Sequence, residues 1–133
     1  MRRSRKEIKR QRVLRLTPGE ITVDAAGKRL GRLASEVATL LQGKNTPQYR
    51  REHLVGPEKI KVINLGKLNL PAQKLKKVYY RHTGYPGGVK TETLEERWKK
   101  NPSRAFERTV AGMLPKNKLQ REMLRRLVVE KSS

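Results

Sequence analysis

Apolar positions along the chain fall into short, well-separated groups. Ile21-Thr22-Val23 is a β-branched run that Asp24-Ala25-Ala26-Gly27 breaks. Leu30, Leu33, Val37, Leu40 and Leu41 then follow helical spacing, and Gly43 supplies a C-terminal stop. After the polar stretch 44–51, Ile60-Lys61-Val62-Ile63-Asn64-Leu65 has the strongest strand pattern in the chain. Strand, helix and strand in that order predict a βαβ unit: two parallel strands joined by a right-handed crossover.

Val78-Tyr79-Tyr80-Arg81 predicts a third strand, with one of the two tyrosines turned into the core. It runs into the turn-rich segment Gly84-Tyr85-Pro86-Gly87-Gly88. Helix signals follow. Thr91 or Thr93 can cap a short helix through Trp98, and Asn101-Pro102 starts another in which Phe106, Val110 and Met113 share a face. Pro115 stops that helix, and Leu119, Met123, Leu124 and Leu127 predict a last one before Val128-Val129.

Residues 1–20 have no firm apolar period. Between Arg2 and Arg15 stand eight basic residues and one acid, Glu7, and Thr17-Pro18-Gly19 closes the segment with a turn signal. Such like-charge blocks act as interaction arms and are disordered alone. The expected organisation is therefore a basic extension over 1–20 and a single domain over 21–133, with no internal repeat.

Composition sharpens this picture. The 133 residues carry 33 Lys+Arg against 12 Asp+Glu, a formal net charge of +21, and only 35% are hydrophobic. A modest core is possible, and the self-repulsion must be offset by something anionic. Polyphosphate fits, because each neutralised phosphate releases condensed counterions. With no Cys, disulfides, zinc ribbons, iron–sulfur clusters and thiol nucleophiles are excluded. Asp24 is the sole Asp, so a carboxylate-rich metal cage is not expected either. No apolar run approaches the roughly 20 residues that span a bilayer. The N-terminal segment is Arg-rich and acid-poor like an organellar transit peptide, yet Ile8 is the sole apolar residue between Arg2 and Arg12. A cytoplasmic location is therefore expected over an organellar one.

Candidate chemistry points to RNA. Gly27-Lys28-Arg29-Leu30-Gly31-Arg32 lies between a strand and a helix, but it matches neither a Walker loop nor a dinucleotide loop. Backbone N–H groups at the helix start could hold an RNA phosphate, aided by Lys28, Arg29 and Arg32. His53 and His82 are flanked by Arg50, Arg51 and Arg81 and lack the setting of a catalytic triad. The segment 79–88 concentrates three tyrosines with Arg81, His82, Thr83 and three glycines. Its aromatic faces can stack on unpaired bases, and Tyr85, Gly87 and Gly88 permit close approach to a backbone. Farther on, Lys116, Asn117 and Lys118 form a basic turn, and Arg121, Arg125 and Arg126 extend the charge along the last helix. Arg2, Arg3, Arg5, Arg10 and Arg12 of the extension complete the expected RNA-binding set. No catalytic residue, metal ligand or cofactor site is expected.

Three segments carry a family resemblance. They are Val23-Asp24-Ala25 with Gly27-Lys28 and Leu30-Gly31-Arg32-Leu33-Ala34-Ser35, then Val78 through Gly88, then Val110-Ala111-Gly112-Met113-Leu114-Pro115-Lys116-Asn117. In order and spacing the chain resembles the universal large-subunit ribosomal protein thirteen family, bacterial type, over roughly residues 21–129. The resemblance implies a three-layer α/β/α fold on a small, mainly parallel four-stranded sheet. It also implies a structural, early-assembling component of the large ribosomal subunit, with large-subunit rRNA and neighbouring ribosomal proteins as partners and no enzyme activity. No membrane or small-molecule substrate is implied. Two segments depart from the family pattern: Leu54-Val55-Gly56-Pro57-Glu58 replaces an acidic turn, and Leu70-Pro71-Ala72 stands where Leu-Thr-Gly is common.

An RNA-modifying or phosphate-handling enzyme is the competing class, and it would need a cofactor loop or acid–base constellation that these residues do not supply. A free RNA-binding translational regulator or nucleoid protein is compatible with composition alone.

Overall fold

A computed structural model describes residues 19–130; the rest of the chain, including Arg2, Arg3, Arg5, Arg10 and Arg12, lies outside the described residues. Strand β1 (Glu20–Asp24) leads through helix α1 (Leu30–Gln42) to β2 (Lys59–Ile63), which pairs with β1 in parallel. The predicted βαβ unit is present, starting one residue before the expected boundary. A 3₁₀ turn (Leu65–Lys67) and the short α2 (Ala72–Leu75) lead to β3 (Val78–His82) and β4 (Val89–Thr93). Helices α3 (Leu94–Lys100), α4 (Pro102–Met113) and α5 (Leu119–Arg125) follow, and β5 (Leu127–Val129) returns to the sheet.

The sheet differs from expectation. Among the described residues it has three strands, all parallel, in the order β1-β2-β5. β3 is not in it. It pairs with β4 in a separate antiparallel ribbon, where Val78 opposes Thr93 and His82 opposes Val89. Register explains the layering as well. Ile21, Val23, Ile60, Val62, Leu127 and Val129 share one face, against which the helical core packs. The other face presents Thr22, Asp24, Lys61 and Val128 and is largely exposed. The expected third layer is thus missing among the described residues: polar side chains alternate with apolar ones along β1 and β2, and Val128 on the outer face of β5 is left 37% exposed.

Helix α1 forms as its apolar spacing predicts, burying Leu33, Ala34, Val37, Ala38 and Leu41. Gly43 ends it in the left-handed conformation (φ 71°), donating its N–H to Leu40 O at 3.0 Å, while Lys44 N–H reaches Thr39 O at 3.2 Å. Gly56 lies against this end: a Cβ there would collide with the Leu41 carbonyl, and one on Gly43 would sit 2.9 Å from Gly56 N. Arg126 ties the same loop from α5, donating to Gly56 O at 3.2 Å and Pro57 O at 3.3 Å. That arginine has a structural duty inside the fold.

Phe106 and Val110 of α4 are fully buried, as their spacing predicts, but Met113 is 40% exposed. Leu114 replaces it. The helix ends at Met113, and the extended backbone of Leu114 (φ −84°, ψ 152°) turns its side chain into the core.

Candidate nucleic-acid interface

The ribbon and the α3–α4 elbow enclose an open groove. Thr93 starts α3 with a capping box: it accepts from Glu96 N–H at 3.3 Å, and the Glu96 carboxylate accepts from Thr93 N–H at 3.1 Å. Asn101 then caps α4, accepting from Arg104 N–H at 3.1 Å, with Pro102 in the first turn. These two caps fix the elbow and so place Arg97, Lys100, Arg104 and Arg108 opposite one face of the ribbon.

That ribbon face carries Tyr79 and Arg81 on β3, opposed by Glu92 and Lys90 on β4. Six cations therefore line the groove (Arg81, Lys90, Arg97, Lys100, Arg104 and Arg108) against two carboxylates, Glu92 and Glu96. Glu92 accepts from Arg97 at 2.8 Å and from Lys100 at 2.9 Å. The hydrogen bond from Lys100, then the one from Arg97, holds the Glu92 carboxyl below its usual pKa, and Glu92 raises that of Lys100 in return. Arg81, Lys90, Arg104 and Arg108 have no carboxylate within ion-pair distance among the described residues. Four unneutralised cations around one concave surface give it a positive potential that attracts polyanions.

The structure divides the segment that the sequence presents as one surface. Arg81 faces the groove, whereas His82 shares the opposite face with Tyr80 and Val89. Neither tyrosine enters the core: Tyr79 is half-buried beneath Arg97, and Tyr80 is 74% exposed. At the tip, Thr83 N–H reaches Gly88 O and Gly88 N–H reaches Tyr85 O, each at 2.9 Å. A Cβ on Gly88 would collide with Thr83 Oγ1, so this turn requires glycine there. Thr83 and Gly88 thus build the tip, while Gly87 takes the left-handed conformation (φ 72°) and Tyr85 projects, 76% exposed. His82 Nδ1 accepts from Gly84 N–H at 2.9 Å, which leaves Nε2 as the nitrogen facing outward.

The remaining candidates occupy other surfaces. At the start of α1, Arg29 and Arg32 are exposed, no side chain caps the helix and no acid stands in its first turn. Lys28 is drawn aside into an ion pair with Glu36 at 2.7 Å. Arg50 and Arg51 stand at the rim of a second recess, near α4's end. Asn117 is an internal cap, accepting from Gln120 N–H at 3.2 Å. Arg125 is paired with Glu122 at 3.0 Å, while Lys116, Lys118 and Arg121 are exposed. Of the six groove cations, Arg81 alone stood among the expected RNA-binding residues; Lys90, Arg97, Lys100, Arg104 and Arg108 did not, and the i, i+4 spacing of Arg104 and Arg108 on one helix was the available signal.

Comparison with known proteins decides the class. Residues 19–132 match the sequence profile of the family described as Ribosomal protein L13. The chain belongs to the Ribosomal protein L13 family. Among its relatives, the large ribosomal subunit protein uL13 of Chlorobium phaeobacteroides is 46% identical over 118 residues, 84% of this chain and 78% of that protein. The uL13 of a Nitratiruptor species is 49% identical over 107 residues, 80% of this chain and 76% of that protein. That of Listeria welshimeri is 44% identical over 118 residues, covering 84% and 81%. As a family member, the chain is a structural, rRNA-binding ribosomal protein and not an enzyme.

Proposed function

We propose that this protein is built into the large ribosomal subunit early in assembly and grips 23S-type rRNA through the groove between the ribbon and the α3–α4 elbow. The observation that carries the reading is the convergence of Arg81, Lys90, Arg104 and Arg108 without carboxylate partners among the described residues. A backbone laid in the groove would meet those cations, while Tyr80 and Tyr85 offer exposed rings to unpaired bases. Arg29 and Arg32 at the start of α1, Arg50 and Arg51, and Lys116, Lys118 and Arg121 add further phosphate contacts. The basic extension over 1–20 supplies an arm that follows the rRNA. Neighbouring large-subunit proteins complete the surroundings, on ribosomes of the bacterial cytoplasm.

Sedimentation tests the reading. Tagged protein should travel with large subunits through a high-salt wash and appear in early assembly particles. Protein found mainly free, or released by the wash, would contradict it.

A further inference from the structure

The second recess lies apart from the groove. It forms where the loop of residues 44–53 crosses the end of α4, and its volume is about 370 Å³, within the range of ligand pockets. Its wall is apolar: Met113, Leu114, Pro115 and Met123. Tyr49 stands at the mouth, 38% exposed, and Lys44, Arg50, Arg51 and His53 surround it. No carboxylate lines it.

One polar side chain reaches into this apolar setting. Gln42, the last residue of α1, is 7% exposed and is the one buried polar residue of the described core. Its side chain lines the recess and makes no hydrogen bond to any described residue. The amide is not a buried orphan, for among the described residues Ser103 Oγ alone is that; it is reached by solvent and is free to pair with what enters the recess. A glutamine amide offers a carbonyl acceptor beside N–H donors, the arrangement that pairs side by side with a nucleobase edge. A ring entering the recess would lie among methionines and a tyrosine, with four basic side chains around the mouth to receive its phosphates.

We infer that the recess holds a single unpaired nucleotide of the rRNA, its base edge paired with the Gln42 amide and its phosphates met by Arg50 and Arg51. The inference rests on the rRNA-binding reading and deepens it. Adenine fits best, since its N6 donor stands beside the N7 acceptor. Tyr49 covers the base, and Met113, displaced from the core, serves as wall.

Base-specific chemical probing of large-subunit rRNA bound to the full-length chain tests this, with hydroxyl-radical cleavage of the sugars as the parallel measurement. Wild-type protein should protect one unpaired base that becomes reactive again in Gln42→Leu, while sugar protection elsewhere persists. Affinity should fall about tenfold, the size of one base-edge contact. Gln42→Leu should leave the fold intact, because the amide makes no hydrogen bond to a described residue and leucine keeps most of the buried volume. Gln42→Glu is the second variant, and it should expose the same base and no other. If both variants leave the base pattern of wild type unchanged, the recess reads no nucleotide and the inference falls. Failure of wild-type protein to protect the rRNA anywhere would instead overturn the rRNA-binding reading itself.

Discussion

The Arg97 guanidinium lies over the face of Tyr79, 4.0 Å from the ring centroid, with Lys77 on the same ring at 5.2 Å. Tyr79 belongs to the ribbon and Arg97 to α3, whose Trp98 packs against the core. Arg97 also bonds Glu92 of β4, so one arginine joins both strands to the helix. The ribbon adds little to the apolar core, and these polar contacts set its orientation.

Weakening that stack should loosen the ribbon without unfolding the domain. A double-mutant cycle of Tyr79→Leu and Arg97→Lys should give a coupling of about 0.5–1 kcal/mol, the range of a partly exposed cation–π pair. Hydrogen exchange should quicken in Val78–His82 and Val89–Thr93 while α1 keeps its protection. Equal quickening in α1 would show that the ribbon and core open together.

Acid should release the same clamp. Glu92 has a lowered pKa in the folded protein, so its contribution is present above the ordinary glutamate value of about 4.3 and is lost as pH falls through the lowered one. The ribbon amides should therefore shift in an NMR titration at the acid end, and Glu92→Gln should abolish that step. A step that survives in Glu92→Gln belongs to another group.

Phe106 is the largest fully buried side chain and packs in the main cluster with Leu33, Val37 and Val62. Phe106→Ala should destabilise the fold by about 3–5 kcal/mol through lost transfer energy and the cavity left behind. Urea unfolding measures this directly, and a loss under about 1 kcal/mol would contradict the packing described.

The main unit was legible because burial there is periodic: α1 and the inward residues of β1 and β2 repeat as their elements require. The ribbon was only half legible. Val89-Lys90-Thr91-Glu92-Thr93 shows no apolar alternation, since a ladder of backbone bonds and ion pairs holds β4 rather than a buried face. As aromatic residues of a strand, Tyr79 and Tyr80 suggest that one of them turns into the core, yet the two faces of that strand meet cations and solvent. The groove was partly hidden because Arg81 and Arg104 come together only through the α3–α4 elbow. Gln42 gave no signal at all, as its burial depends on a loop that has no period.

The salt dependence of binding to protein-free large-subunit rRNA tests the central claim most directly. A variant with Arg81, Lys90, Arg104 and Arg108 all changed to Ala loses four cations from the groove and none from the core. If each meets a phosphate, the slope of log K against log salt should flatten by roughly three units, at about 0.7–0.9 per contact, with the thermal unfolding midpoint unchanged. A slope equal to that of wild type in a folded variant would show that the rRNA does not lie in this groove.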